Sequence, residues 1–203
     1  MTEAGGPGTS KLTRESLMSL EQYDRVRQEF RASVMAHKAN RRISIGPHAT
    51  IYFEDAVTMR YQVQEMLRAE RIFDAQGIED EIAAYNPLIP DGHNWKATLM
   101  IEYAQEGDRQ LALARMIGIE TKVWVRVAGF DRVWAIADED LDRTTAEKTS
   151  SVHFLRFELD SSMMRAVKSG AAISVGIDHP AYSHSVGELP EAVRAALASD
   201  ISV

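Results

Sequence analysis

Hydrophobic residues recur every three or four positions in the first part of the chain, which is the spacing of a helix with one buried face. The first helix is predicted over residues 20–39, and Ser19 and Gln22 form a capping box at its start. Its apolar positions are Tyr23, Val26, Phe30 and Val34. A second helix, about 56–73, follows Asp55, whose side chain can cap it.

Later in the chain, apolar and polar residues alternate with a period of two, as in strands that bury one face. A hairpin is predicted around Gly46-Pro47. Strands are predicted at 43–45, 50–53, 95–103, 122–127, 132–137, 152–159 and 172–177. Short helices are predicted near 78–85, 108–117, 162–169 and 190–200, with loops at 138–150 and 178–189. This order predicts an α+β fold, with a helical N-terminal half packed on a mainly antiparallel sheet.

The boundaries of the domain follow from local composition. Residues 1–17 are small, polar and glycine-rich, so we expect a flexible tail. No linker of useful length divides the remainder. We therefore predict one α+β domain over 18–203, with two tightly packed lobes, about 18–105 and 106–203, as the alternative.

Charge is distributed unevenly along the 203 residues, whose net charge is −7. Residues 1–42 carry eight Lys and Arg against five Asp and Glu, whereas residues 54–108 carry four against twelve. The acidic charge of residues 54–108 argues against this segment wrapping nucleic acid, because phosphate neutralisation needs clustered Lys and Arg. The basic first helix either binds anions or pairs with the acidic segment inside the fold.

Several kinds of chemistry are excluded by composition and motifs. The chain has no cysteine, so disulfides, thiolate metal sites and cysteine-held iron–sulfur clusters are ruled out. The phosphate-binding, dinucleotide-binding and Glu-x-x-His di-iron motifs are missing as well. No apolar run near 18 residues occurs. We therefore expect a cytoplasmic protein without a cofactor, bound neither to nucleic acid nor to a membrane.

One candidate ligand-binding surface lies on the second predicted helix. Tyr61, Glu65 and Arg68 share one side of it, where Glu65 can pair with Arg68. The alternatives are a solvated face and a buried network with the basic first helix. A wider candidate set could bind a carboxylate or phosphate through bidentate arginine contacts. It comprises Arg27, Arg31, Arg41, Arg42 and Arg68, with Glu70 beside them.

A metal site is the second candidate. Carboxylates and imidazoles are ligands for zinc, iron or manganese, and we name Glu54, Glu102, His179 and His184 as candidate ligands. Their spacing matches no established ligand pattern. Turn chemistry explains the histidine-containing loop equally well, and paired carboxylates could instead share a proton in acid–base work.

A set of motifs extends from residue 20 to about 200. It includes Tyr85-Asn86-x-Leu88-Ile89-Pro90, Ala97-Thr98-Leu99-x-Ile101-Glu102 and His179-Pro180-x-Tyr182. With these motifs the chain resembles an uncharacterised bacterial family, domain of unknown function 3501. Genes of that family commonly lie beside those for a rubrerythrin and an iron–sulfur oxidoreductase. The resemblance therefore implies a supporting role in peroxide defence or electron transfer.

Three functional hypotheses follow. The first is a non-catalytic accessory or binding protein that docks on a redox partner, either rubrerythrin or the iron–sulfur oxidoreductase, since electrons would have to belong to that partner. The second is an enzyme or sensor with a carboxylate and histidine metal site. The third is a binder of an anionic small molecule through the arginine cluster. The sequence leaves open whether any reaction is catalysed and whether the protein forms a homodimer.

Overall fold

The computed structural model describes residues 8–141, 143–145 and 147–203. Within these residues the α-helices are α1 Leu20–Ala39, α2 Ala56–Glu70, α3 Ala75–Tyr85, α4 Glu106–Arg115, α5 Ser161–Lys168 and α6 Glu191–Ser199. The strands are β1 Arg42–Ile45, β2 Ala49–Phe53, β3 Asn94–Ile101, β4 Val123–Val127, β5 Val133–Trp134, β6 Ile136–Ala137, β7 Val152–Glu158, β8 Ile173–His179 and β9 Tyr182–Val186. The predicted α+β class is confirmed.

The strands form two antiparallel sheets. The first has the order β1-β2-β3-β7-β6, and the second has the order β5-β4-β8-β9. In the first sheet Tyr52 of β2 lies opposite Thr98 of β3, which in turn lies opposite Phe154 of β7. These three side chains therefore project from the same face of the sheet.

The main hydrophobic core lies between the two sheets. The inner face of the first sheet contributes Ile51, Trp95 and Leu99, and the second sheet contributes Val125 and Val175. Helices α4, α5 and α6 close this core with buried residues such as Leu113, Val167 and Leu197. Burial of apolar surface of this kind is the dominant favourable contribution to folding.

The outer face of the first sheet meets the helical N-terminal half. A second apolar cluster joins α2 to α3 and to the segment after α3. It comprises Leu12, Ala56, Met59, Val63, Leu67, Ile82 and Ile89. A helical layer therefore lies beside a sheet face that carries polar and intermediate residues.

Most predicted elements are confirmed, including α1 with its capping box and α2 with Asp55 as N-cap. The predicted hairpin has Gly46 in the left-handed region, with φ of 71°, as a tight turn requires. The prediction of one strand over 132–137 is wrong: β5 pairs with β4, whereas β6 pairs with β7 of the other sheet. The chain changes sheets at Ala135, whose side chain is buried in the main core.

The prediction of a loop over 178–189 is also wrong. Strand β8 continues to His179, and β9 pairs with it from Tyr182 to Val186. This strand was missed because it lies at a sheet edge and exposes Ser183, His184 and Ser185 in succession. An edge strand of this composition lacks the alternating pattern that predicts a half-buried strand.

The chain before α1 makes specific contacts with the helical layer. Leu12 is buried, and its backbone N–H and C=O bond to the side-chain amide of Asn86, at 2.7 and 3.0 Å. Lys11 donates to the carbonyl of Ile89 at 2.8 Å. The tail predicted over 1–17 therefore makes contacts from residue 8 onward, where the Gly8 carbonyl accepts from the Ala56 N–H at 3.0 Å, and residues 1–7 lie outside the described residues.

Candidate functional site

A cavity of about 430 Å³ lies between the outer face of the first sheet and the helical layer. We call it the α1–α2 cavity. The sheet side contributes Tyr52, Glu54, Thr98, Met100 and Phe154. The helical side contributes Met35, Lys38, Met59, Gln62, Tyr85 and Leu88. Apolar and aromatic side chains predominate, with a few polar groups among them, as is typical of small-molecule sites.

Local strand geometry places Glu54 in the cavity wall. Side chains alternate along a strand, so Glu54 projects from the same face as Tyr52. The backbone N–H of Glu54 donates to the carbonyl of Lys96 at 2.8 Å, which prolongs the pairing of β2 with β3 by one residue. The next residue, Asp55, caps α2 through Thr58. Glu54 is therefore held between the end of a central strand and the start of a helix.

The carboxylate of Glu54 is only half satisfied. Its Oε1 atom accepts a hydrogen bond from the Thr98 hydroxyl at 2.7 Å. Its Oε2 atom is buried and has no hydrogen-bond partner among the residues that the structure describes. The whole residue is 5% exposed. A buried, unpaired oxygen of an acidic group carries a desolvation penalty, so this atom marks a place where a donor is missing.

A buried ionic cluster lies behind Glu54. Arg41 donates to both carboxylate oxygens of Asp200, at 2.8 Å each, and its Nε lies 3.0 Å from an Asp55 oxygen. The same Asp55 oxygen contacts His37 Nε2 at 2.6 Å. Arg41, Asp55 and Asp200 are each at most 2% exposed. The buried guanidinium therefore serves several carboxylates at once.

The pKa values in this cluster reflect burial and shared charge. Burial would lower the pKa of Arg41, but the hydrogen bonds that it donates to Asp200 and the charges of Asp200, Asp55 and Glu54 raise it overall. Burial raises the pKa of Asp200 to about 6, against the opposing effect of Arg41. One guanidinium does not neutralise all the carboxylates around it.

The remaining polar groups of the cavity come mainly from the helical side. Lys38 extends from the last turn of α1, and its ammonium makes no ion pair with the other described residues. Burial raises the pKa of Tyr85, whose hydroxyl lies beside Gln62. The lining contains carboxylate, ammonium, amide and hydroxyl groups but no imidazole. This set can orient a ligand, but it shows no nucleophile paired with a base.

The predicted stripe on α2 is part of a closed network with α1. Glu65 accepts two hydrogen bonds from Arg27, at 2.7 and 2.8 Å, and one from the Tyr23 hydroxyl at 2.5 Å. Arg27 holds the pKa of Glu65 at about 2. Arg68 lies 3.9 Å from Glu65, so the principal partner of Glu65 is on the neighbouring helix. The interpretation as an interhelical network describes these residues best.

The other predicted anion-binding residues lie apart. Arg41 is buried against Asp200, whereas Arg31 and Glu70 are exposed. Arg42 is exposed and lies over the ring of Tyr52, 5.7 Å from its centroid. Tyr61 contacts Phe30, with 6.1 Å between ring centroids. The structure therefore does not assemble these arginines into a single open anion site.

The four candidate metal ligands each have a separate environment. Glu54 is paired with Thr98, and Glu102 accepts from the Thr50 hydroxyl at 2.8 Å. His179 uses both ring nitrogens, toward the carbonyl of Ile117 and the N–H of Ala181. The ring of His184 packs against Tyr182. No three or more His, Asp or Glu side chains come together as a metal site in the part of the chain that the structure describes.

A buried His–Asp pair was not anticipated from the sequence. His153 is fully buried, with Nδ1 2.6 Å from Asp138 and Nε2 3.0 Å from both the Thr149 hydroxyl and the Ser150 carbonyl. A carboxylate only accepts hydrogen bonds, so Nδ1 donates to Asp138. Together with the contacts of Nε2 to Thr149 and Ser150, this bond anchors the segment before β7.

The residues that form the α1–α2 cavity were also largely missed. The alternation along β3 places Thr98 and Met100 on the less apolar face, and such a pattern predicts a side that faces solvent. The available signal was the resemblance itself, because Tyr85, Leu88 and Thr98 all fall within its motifs. Within the described ranges, no helix has the length and apolar character needed to cross a membrane.

The comparisons with known proteins agree with one another. The family model described as "Protein of unknown function (DUF3501)" matches residues 11–201. The crystal structure of a novel protein of unknown function from Burkholderia pseudomallei is 53% identical, with a TM-score of 0.91, and the match covers 95% of this chain and 100% of that one. No curated protein matches the chain.

Proposed function

The chain belongs to the DUF3501 family, and we propose that it is a non-catalytic binding protein whose ligand is a small organic molecule held in the α1–α2 cavity. The observation that carries this proposal is the buried Oε2 atom of Glu54, which lacks a donor although Glu54 lines a cavity with mostly apolar walls. A fold tolerates such a group when it serves binding, because its desolvation cost is then repaid by the ligand.

The size and the lining of the cavity support a small organic ligand. A volume of about 430 Å³ lies within the range of roughly 300–1,000 Å³ that is common for such sites. Three methionines, Met35, Met59 and Met100, provide adaptable apolar contacts. The walls come from a central sheet and from residues of α1, α2 and α3, so the polar groups are held on rigid elements.

The finer role implied by the family resemblance, support of a rubrerythrin or an iron–sulfur oxidoreductase, stays a proposal. It is compatible with a chain that has no cysteine, since any thiolate-held iron must then reside on the partner. Purification from the native host tests this role. Co-purification of an iron–sulfur or di-iron protein in fixed stoichiometry supports it, and recovery without either contradicts it.

The ligand site itself is tested with methionine methyl groups as reporters. A fragment collection of neutral, cationic and anionic small molecules is added to protein carrying ¹³C-methyl methionine. We expect fragments that shift the signals of Met59 and Met100, which line the cavity, while Met163 and Met164 of α5 stay unchanged. A screen in which no fragment of any charge perturbs the cavity methionines overturns the proposal.

A pair of variants on α1 makes the test specific. Met35→Trp adds bulk at the mouth of the cavity, where Met35 is 36% exposed. Val26→Trp adds the same bulk on the same helix at a position that is 41% exposed and does not line the cavity. We expect the first variant to abolish the fragment shifts and the second to leave them unchanged.

A further inference from the structure

We propose that the ligand of the α1–α2 cavity is a cation, a protonated amine or amidine on an apolar or aromatic body, whose N–H group donates to Glu54 Oε2. This inference rests on the proposed function, because it names the chemical class of the ligand that the cavity binds. Three features of the site support it: the free carboxylate oxygen, the charge balance behind that oxygen, and the aromatic walls in front of it.

The free oxygen of Glu54 requires a donor. A carboxylate only accepts hydrogen bonds, and Thr98 already supplies one to Oε1. Glu54 lines the cavity, and its Oε2 atom is buried without a partner among the described side chains, so the complementary ligand group is one with an N–H or O–H that can reach this atom. A positively charged N–H makes the stronger bond, because a hydrogen bond between two charged groups is about twice as strong as a neutral one.

The surrounding charges also favour a cation. The Arg41 guanidinium is already bonded to Asp200 on one side and lies next to Asp55 on the other. Glu54 is a third carboxylate whose charge acts on the Arg41 guanidinium. Even with a charged His37 beside Asp55, this buried group retains an excess of negative charge. A cationic ligand at Glu54 removes that excess, whereas an anionic ligand increases it.

The walls of the cavity match the body of such a ligand. Tyr52, Tyr85 and Phe154 provide aromatic surfaces, and the methionine side chains fill the space between them. The face of an aromatic ring attracts a cation within about 6 Å, most strongly where water is excluded. An apolar body gains from burial in the same space. The site therefore combines one anionic contact with a mainly apolar enclosure.

Lys38 is the one cation among the described residues that line the cavity. Its ammonium forms no ion pair with Glu54 in the structure, although its side chain is long and flexible. If Lys38 were the true partner of Glu54, it would exclude a cationic ligand. Replacement of Lys38 therefore distinguishes a site in which Glu54 pairs with a ligand from a site in which Glu54 pairs with Lys38.

Three probes of nearly equal shape decide the question: benzamidine, which is cationic, benzamide, which is neutral, and benzoate, which is anionic. We expect benzamidine to bind in the cavity about tenfold more tightly than benzamide, the effect of one charge-assisted hydrogen bond, and benzoate to bind least. Affinities follow from titration of the Met59 and Met100 methyl signals. Equal binding of the three probes, or preference for benzoate, overturns the inference.

Variants assign the preference to Glu54. In Glu54→Gln the advantage of benzamidine over benzamide should disappear, whereas the exposed Glu102→Gln should keep it. Lys38→Met should bind benzamidine at least as tightly as the parent. Benzamidine binding that occurs only in Lys38→Met overturns the inference, because Lys38 is then the natural partner. Neutral fragments that still shift the cavity methionines in any of these cases leave the proposed function standing.

Discussion

Glu54 accepts a hydrogen bond from Thr98 across the first sheet, at 2.7 Å, through one carboxylate oxygen and leaves the other oxygen buried and unpaired. A second Glu–Thr pair in the same sheet has a different environment. Glu102 accepts from Thr50 at 2.8 Å, but its side chain is exposed, so water can solvate the second oxygen. The contrast identifies burial, and not the residue types, as the property that makes Glu54 unusual.

The first prediction concerns how far the buried Glu54 carboxylate lowers the free energy of unfolding. Glu54→Gln keeps the shape and the acceptor for Thr98 but removes a buried negative charge that is only half satisfied. We expect the free energy of unfolding at pH 7 to rise by about 1 kcal/mol, the lower end of the cost of an unsatisfied buried polar group. Urea unfolding monitored by circular dichroism measures it.

The matched control for that substitution is Glu102→Gln. Because Glu102 is exposed, its replacement should change the free energy of unfolding by less than about 0.5 kcal/mol. A loss of stability in Glu54→Gln larger than that of the control would show that the Glu54 carboxylate stabilises the fold. The interpretation of Glu54 as a binding group would then fail.

The second prediction concerns Asp200 and pH. Burial raises the pKa of Asp200 to about 6 in the folded state, above its ordinary value of 3.8. Between these two values the folded protein binds a proton that the unfolded chain has lost, so the contribution of Asp200 to stability decreases as pH rises from about 4 to 6. Relative to Asp200→Asn, the parent should lose stability over this interval.

Paired unfolding curves at pH 4, 5, 6 and 7 measure this difference. A parent that gains stability over Asp200→Asn between pH 4 and 6 would show that the ion pair with Arg41 outweighs burial. The pKa of Asp200 would then lie below its ordinary value, contrary to the direction in which burial shifts it.

The third prediction concerns Glu65, whose contribution to stability changes with pH in the opposite direction to that of Asp200. Its pKa is lowered to about 2 from an ordinary value of 4.5, chiefly by the hydrogen bonds from Arg27. The stability from this group is present above pH 4.5 and is lost as pH falls toward 2. Glu65→Gln should therefore cost about 1 kcal/mol at pH 7, a modest figure because the pair is partly screened by solvent.

Thermal unfolding of the parent and of Glu65→Gln from pH 7 down to pH 2.5 checks this expectation. The difference between the two proteins should shrink steadily below pH 4.5. Arg68→Ala is the companion variant, because Arg68 lies 3.9 Å from Glu65 and is 41% exposed, and it should have little effect. A constant difference across the pH range would contradict the network between α1 and α2.

The elements with strong local signals could be predicted from the sequence. The capping box at Ser19 and the regular spacing from Tyr23 to Val34 define α1, and Asp55 defines the start of α2. Such signals are local, so they need no knowledge of tertiary contacts. The change of sheet at Ala135 and the polar edge strand β9 could not be predicted, because both depend on which distant strand lies alongside.

The candidate site illustrates the same limit. The sequence singled out Glu54 as a metal ligand, and the resemblance covered much of the cavity lining, but neither could show that Oε2 would be buried without a donor. That property arises where residues of α1, α2 and three strands meet. A network of Glu65 with the first helix was one of the alternatives from the sequence, but its partner Arg27 could not be singled out, because within one helix Arg68 is the nearest basic residue in sequence.

The most direct test of the ligand site is a crystal structure of the protein soaked with the tightest-binding fragment from the methionine screen. We expect density for the fragment inside the α1–α2 cavity, with a donor atom within about 3.2 Å of Glu54 Oε2. Density for the fragment only outside this cavity, or a Glu54 carboxylate bonded on both oxygens by the protein itself, would contradict the central claim.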